Sequence, residues 1–155
     1  MRHREIIDDS KERLIEANGG QKRSLHQQKN KSQREYFRVI IAGGRYFSNY
    51  ELLRTFVDVK LSRITKEKPI EIVSGGATGA DALGERYAKE KGYLLRRFPA
   101  DWKQYGKAAG VRRNKEMAQN ADALIAFWNG ESRGTKNMIE EARAAGLLVA
   151  VKRYI

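Results

Sequence analysis

The sequence predicts an α/β fold, an open doubly wound (Rossmann-like) parallel sheet of about five strands flanked by helices. From Phe37 onward, short apolar runs alternate with segments in which apolar residues recur at helical spacing. Most of the apolar runs end at glycine, serine or proline, which are typical turn formers. Strands that alternate with helices of this length form βαβ units, and right-handed crossovers between them produce a parallel sheet.

The first half of this region predicts two strand–helix pairs. Arg38–Ala42 is a short apolar run that ends at a glycine pair, which is typical of a strand buried on both faces. Tyr50–Ile64 places its apolar residues on one helical face. Ile70–Val73 predicts the second strand. Ala80–Ala88 then has helical spacing, and Gly92 ends that helix because glycine tolerates the left-handed conformation.

The second half continues the alternation to the last residues of the chain. Tyr93–Phe98 predicts the third strand, and a helix is expected from about Ala109–Gln119. Ala123–Trp128 is an apolar run that predicts the fourth strand. Apolar residues at helical spacing within Met138–Ala145 mark the last helix, and Leu147–Val151 predicts the last strand.

The N-terminal part has a different pattern, so we expect residues 1–36 to be an amphipathic segment with a basic linker and residues 37–155 to be the domain. Met1–Ala17 predicts a short amphipathic helix that Asn18 and two glycines end. Gln21–Gln33 is polar and basic, which favours a mobile linker. We expect the helix to dock on another copy of the chain and to form a homo-oligomer. Its apolar residues are Ile6, Ile7, Leu14 and Ile15.

Composition restricts the partners and the chemistry. The chain has 31 Lys and Arg residues against 19 Asp and Glu, a formal charge of +12, which favours anionic partners such as nucleotides or nucleic acid. It has no cysteine, and its two histidines, His3 and His26, precede the glycine-rich region. That region therefore lacks a histidine base and thiolate or histidine metal ligands. No apolar run suits a membrane span or signal peptide, so we expect a soluble, cytoplasmic protein without a membrane partner.

Glycine-rich loops follow the first two predicted strands. The glycines before Arg45 let the backbone approach a phosphate, which the guanidinium can clamp. In the segment Ser74–Asp81, a strand, a glycine turn and a helix N-terminus favour an anion. The segment is not a G-x-G-x-x-G motif, and it lacks the Lys-Ser/Thr pair of a P-loop. Asp81 could complement the helix dipole or accept hydrogen bonds from a ribose or base.

The loops after the third and fourth strands complete the predicted site. Trp102 could offer a stacking face or pack as a core plug, while Arg113 is expected to clamp an anion at a helix start with little effect on stability. Thr135 is placed to cap the last helix. The predicted ligand-binding residues are Gly43, Gly44, Arg45, Ser74, Gly75, Gly76, Thr78, Gly79, Asp81, Trp102, Lys107, Arg113, Asn114, Gly134 and Thr135.

These motifs as a set point to a known family. They are Gly43-Gly44-Arg45, Ser74-Gly75-Gly76, Gly79-Ala80-Asp81, Pro99-Ala100-Asp101-Trp102, Gly110 with Arg113-Asn114, and Gly134-Thr135. From about Arg38 to Val151 the chain resembles the YspA-like (cpYpsA-related) branch of the SLOG (Smf/LOG) superfamily of Rossmann-like domains. The loop that begins at Ser74 is also similar to that of the DNA-processing Smf proteins. The resemblance implies binding of nucleotides, of nucleotide-derived signals such as ADP-ribose derivatives, or of nucleic acid.

The phosphoribohydrolase (LOG) branch of the superfamily carries Pro-Gly-Gly-x-Gly-Thr-x-x-Glu. This chain has Ser74 in place of the proline and a different spacing to Asp81. The departure argues against a cytokinin-type phosphoribohydrolase.

Three classes of function are compatible with the sequence. The first is a sensor, carrier or sequestering protein for a nucleotide-derived ligand. The second is a hydrolase of an N-glycosidic or phosphate bond, in which Asp81 or Asp101 would transfer protons because no histidine is available. The third is a single-stranded nucleic-acid binder. The sequence leaves open whether the chain is an enzyme, and it predicts no cofactor besides the nucleotide-derived ligand and no metal site.

Overall fold

The computed structural model describes residues 35–64 and 67–155. The predicted N-terminal helix and the basic linker lie outside these residues. The described part contains one sheet of five parallel strands in the order β3-β2-β1-β4-β5, which confirms the predicted fold class. The strands are β1 (Phe37–Gly43), β2 (Ile70–Ser74), β3 (Leu94–Arg97), β4 (Ala123–Trp128) and β5 (Leu148–Arg153).

Helices connect the strands at the predicted places. Helix α1 ends at Ser62, two residues before its predicted end, and the structure adds a short helix that the sequence does not predict. No helix in the two described ranges is long and apolar enough to cross a membrane. The helices are α1 (Tyr50–Ser62), α2 (Ala80–Lys91), α3 (Trp102–Tyr105), a 3-10 turn (Gly106–Ala108), α4 (Ala109–Gln119) and α5 (Arg133–Ala144).

The sheet is covered on both faces because alternate residues of each strand point in opposite directions. On one face, Val39 and Ile41 are fully buried in a core that includes apolar residues of α1 and α2. On the other face, Ile40 and Ala42 pack in a second core that includes apolar residues of α4 and α5. This arrangement explains why β1 is apolar without interruption, as expected for a strand with two covered faces.

The sheet has one topological switch point, where the direction in which successive strands are added reverses. The chain builds β1, β2 and β3 outward, and then returns to place β4 on the other side of β1. Gly43 pairs with Phe127 at the carboxyl ends of β1 and β4. In open α/β sheets a crevice forms at this switch point, where the following loops diverge to opposite faces.

Candidate functional site

A single cleft of about 1010 Å³ lies beyond the carboxyl ends of the strands. Its walls come from the loops that follow β1, β2, β3 and β4, together with the first turns of α4 and α5. Ser74, Gly79 and Asp101 are not among the lining residues. The predicted site residues that line the cleft are Gly43, Gly44, Arg45, Gly75, Gly76, Thr78, Asp81, Trp102, Lys107, Arg113, Asn114, Gly134 and Thr135.

Close backbone contact joins the loops after β1 and β2. The amide of Ala80 donates a hydrogen bond to the carbonyl oxygen of Gly44 at 3.1 Å. Gly79, which precedes Ala80, has a φ of +79°, and a Cβ atom there would collide with the carbonyl oxygens of Gly44 and Arg45. Gly79 therefore contributes to the site indirectly, because it lets the loop after β2 (the second loop) approach the loop after β1 (the first loop).

Ser74 stabilises the second loop through hydrogen bonds of its side chain. Its side chain is fully buried; Oγ donates a hydrogen bond to Glu85 Oε2 at 2.7 Å and accepts one from the Gly76 amide at 3.0 Å. Arg97 binds the same Glu85 carboxylate through two hydrogen bonds of 3.0 and 2.8 Å. The Arg97 hydrogen bond is the main reason why the pKa of Glu85 lies below its usual range. This chain of contacts holds the shape of the loop.

Asp81 lies in the wall of the cleft, and its carboxylate is buried. Its Oδ2 atom accepts a hydrogen bond from the Ala77 amide at 3.1 Å. Burial raises the pKa of Asp81 above its usual value, while the Ala77 hydrogen bond and the nearby Arg113 charge oppose that shift. Asp81 thus holds the turn of its own loop and also presents a carboxyl group to the cleft.

Arg113 differs from the surface clamp that the sequence predicts. Helix α4 begins at Ala109, so Arg113 lies in its second turn, where it is half-buried against the second loop. Its Nη1 atom donates to the carbonyl oxygen of Gly75 at 2.5 Å and to that of Phe98 at 3.4 Å. Its Nε atom donates to Asn114 Oδ1 at 3.1 Å. Burial lowers the pKa of Arg113, although the Asp81 carboxylate acts in the opposite direction.

Trp102 is not a core plug, because 54% of its surface is exposed and it lines the cleft. Its ring leans toward helix α4, where Cη2 would lie 3.5 Å from a Cβ atom placed on Gly110. The preceding residue, Asp101, is the N-cap of α3, and its Oδ1 atom accepts a hydrogen bond from the Gln104 amide at 3.1 Å. Asp101 therefore holds the start of the short helix that carries the tryptophan.

The expectation that Thr135 caps the last helix is wrong. Ser132 is the N-cap of α5, and its Oγ atom accepts a hydrogen bond from the Thr135 amide at 3.3 Å. The helix starts at this point because Asn129 Oδ1 accepts from the amides of Glu131 and Ser132, at 2.8 and 2.9 Å, and so shapes the loop. Thr135 is buried in the first turn of α5, with its hydroxyl 3.0 Å from that of Ser132.

The lining residues that are absent from the prediction include Tyr46, Asn137 and Tyr154. Asn137 follows Gly134 by three residues on the same helix, and Asn114 Nδ2 donates to its Oδ1 atom at 2.8 Å. Helical spacing could have indicated Asn137. Tyr154 reaches the cleft from the end of β5, where its hydroxyl lies beside Gly44. No local sequence signal connects residues so far apart.

The charges of the lining side chains favour an anion. Asp81, one of the two lining carboxylates, has a raised pKa. The positive charge comes from the segments that follow β1, β3 and β4, and it lies near the N-terminus of α5, whose free amides attract anions. The lining cations are Arg45, Lys107, Arg113 and Arg133, against Asp81 and Glu131.

Comparison with known proteins agrees with this architecture. The family model described as "YspA, cpYpsA-related SLOG family" matches residues 37–105, which include the loops after β1 and β2 and the tryptophan segment. The chain is also similar to the Gene 61 protein of Mycobacterium phage D29, with 38% identity over 120 residues that cover 72% of this chain and 93% of that protein. The chain therefore belongs to the YspA, cpYpsA-related family of SLOG domains.

Proposed function

We propose that the cleft binds a nucleotide or nucleotide-derived ligand with phosphate and ribose groups, such as an ADP-ribose-type signal, and that the chain acts as a sensor, carrier or sequestering protein. The observation that carries the proposal is the convergence of the loops after β1 to β4 on one cleft at the switch point, with four cationic side chains among the lining residues. Membership of the SLOG family supports a nucleotide-related ligand.

Two features suit the phosphate groups. Arg45 is exposed and lines the cleft, and so does Gly76, whose open backbone leaves room for close approach. Gly134 lies in the first turn of α5, and apart from its chain neighbours and the backbone of its own helix no atom lies within 4 Å of the place where its side chain would be. An oxygen of the ligand can therefore approach the free amides at that helix end.

Calorimetric titration with AMP, ADP and ADP-ribose tests the proposal. We expect saturable binding, and we expect Arg45→Ala to weaken it by about 10- to 150-fold because a charge-assisted hydrogen bond contributes about 1.5–3 kcal/mol. Arg143→Ala is the matched control, because Arg143 is exposed on α5 and does not line the cleft. Absence of binding by all three compounds, or equal affinity in the two variants, would contradict the proposal.

A hydrolase of an N-glycosidic or phosphate bond is the second candidate, and a specific feature favours Asp81 as its acid. Asp81 is a carboxyl group with a raised pKa in the cleft wall, whereas Asp101 caps α3 outside the lining. Overnight incubation with ADP-ribose, followed by chromatography, would detect turnover. Turnover that Asp81→Asn abolishes would support this candidate, and an unchanged ligand would rule out hydrolysis of that compound.

A single-stranded nucleic-acid binder is the third candidate, supported by the net charge of +12 and by the exposed rings of Tyr46 and Trp102 at the cleft. Binding that depends on phosphate tracking falls steeply with salt. Titration of a labelled oligonucleotide at about 50 and 200 mM salt separates this candidate from binding of a small nucleotide. We expect the affinity of a nucleic-acid binder with several phosphate contacts to fall about 10³-fold between these two salt concentrations.

A further inference from the structure

The cleft contains half of the large apolar side chains that are exposed in the described part of the chain. Six large apolar side chains are exposed in the described part of the chain, and Tyr46, Trp102 and Val111 line the cleft. Phosphate and ribose groups do not explain apolar side chains at these positions, because both groups are polar. Exposed apolar surface inside a concave site indicates a ligand that has an apolar part of its own.

The apolar side chains belong mainly to one wall of the cleft, the connection from β3 to α4. The structure fixes Trp102 in this wall at both ends of its short helix, by the Asp101 cap and by the Gly106 amide, which donates to the Trp102 carbonyl oxygen. Among the described residues of this wall between positions 99 and 111, Lys107 alone lines the cleft with a charged or polar side chain. The other lining residues between positions 99 and 111 are Pro99, Ala100, Trp102, Gly110 and Val111.

We propose that this wall, centred on Trp102 and Val111, binds the heteroaromatic base of the nucleotide by stacking, so that the ligand class is nucleotides with an intact base rather than sugar phosphates. The inference rests on the proposed function of the same cleft. Stacking of a base on an aromatic ring needs an accessible π-face, and the Trp102 side chain is half-exposed, on a backbone that hydrogen bonds hold at both ends of α3. The chemistry of the wall also predicts low selectivity among bases, because it offers few side-chain donors and acceptors to read a base edge.

Three probes divide the ligand into its parts: AMP, UMP and ribose 5-phosphate, each titrated by calorimetry into the full chain. We expect AMP to bind about 5- to 150-fold more tightly than ribose 5-phosphate, which corresponds to the usual contribution of one stacked base. UMP should lie within about tenfold of AMP, because stacking depends weakly on base identity.

Variants assign the effect to the wall. Trp102→Ala should remove the preference for AMP over ribose 5-phosphate and leave the affinity for ribose 5-phosphate unchanged, while Trp102→Phe should retain part of the preference. Val111→Ala should weaken AMP binding, and Val59→Ala should not. These two valines are a matched pair, because they are 48% and 47% exposed and only Val111 lines the cleft.

The outcomes separate the two proposals. Equal affinity for AMP and ribose 5-phosphate, or a Trp102→Ala variant that weakens both probes equally, would overturn base stacking and leave the phosphate–ribose proposal in place. Failure of AMP, UMP and ribose 5-phosphate to bind would overturn base stacking, and failure of ADP and ADP-ribose as well would overturn both proposals. Thermal melts of each variant identify any loss of folding, and in that case Trp102→Phe and Val111→Ala carry the test.

Discussion

Arg113 Nη1 donates a hydrogen bond to the carbonyl oxygen of Gly75 at 2.5 Å, across 38 positions of sequence. The bond ties the second turn of α4 to the glycine loop after β2, and a further hydrogen bond to Asn114 extends the connection toward α5 through Asn137. Because Gly75, the Arg113–Asn114 pair and Asn137 lie on three different elements, this chain of contacts sets the distance between the walls of the cleft.

Replacement of Arg113 should affect stability as well as binding. We expect Arg113→Ala to lower the free energy of unfolding by about 1.5–3 kcal/mol. The variant removes a half-buried charged group that donates hydrogen bonds to two backbone carbonyl oxygens. The neighbouring Arg112→Ala should cost less than about 1 kcal/mol, since Arg112 is exposed and contacts the Tyr105 ring. Urea unfolding measures both. Equal stability of the two variants would show that the Arg113 contacts do not stabilise the fold.

Two glycines of the site should respond oppositely to alanine. Gly79→Ala forces a side chain into a φ of +79° and against the Gly44 and Arg45 carbonyl oxygens, so we expect a loss of about 2 kcal/mol or more. Gly134→Ala places a methyl group in open space within a helix and should leave stability equal or raise it by about 0.5–1 kcal/mol. Thermal unfolding compares them, and a stable Gly79→Ala variant would refute the packing role.

The buried carboxyl of Asp81 should make stability depend on pH. Its pKa is raised in the folded state, so its contribution is greatest below the usual value of 3.8 and declines as the pH rises through the higher folded value. The difference in unfolding free energy between wild type and Asp81→Asn should therefore decrease as the pH is raised from about 3.8. Urea titrations from acid to neutral pH measure it. A difference that increases with pH would mean that the Arg113 charge outweighs burial.

Ser74→Ala should loosen the second loop at a moderate cost. The variant removes the buried hydroxyl that accepts from Gly76, while Glu85 keeps its Arg97 partner, so we expect a loss of about 1–2 kcal/mol and weaker AMP binding. Ser62→Ala is the control, because that hydroxyl is exposed and donates to the Val59 carbonyl oxygen at the end of α1. If both variants retain wild-type affinity, Ser74 does not shape the site.

The expected homo-oligomer depends on the N-terminal segment, which lies outside the described residues. Its predicted helix has too few apolar positions to be stable alone in water, so we expect it to dock on a second copy of the chain. Light scattering at tens of micromolar (about the range in which weak dimers populate) compares the full chain with a variant that lacks residues 1–33. A monomeric full chain would contradict the expectation.

The sequence by itself determined the order of the strands and of the helices other than α3, and it determined the place of the glycine loops. Apolar runs such as that of β1 and the helical spacing in α2 are local patterns, and turn residues mark their ends within a few positions. Because parallel strands share one carboxyl edge, this order also predicted that the loops would meet. That edge accounts for most of the residues that line the cleft.

The tertiary structure decided which role each site residue has. Ser74 stabilises the second loop, and Arg113 donates hydrogen bonds to backbone carbonyl oxygens. Ser132 is the N-cap of α5, the role that the sequence predicted for Thr135. Tyr154 reaches the site from the end of the last strand. These outcomes depend on contacts between elements far apart in sequence. Local periodicity carries no information about such contacts, because the distance between two side chains is set by how whole elements pack.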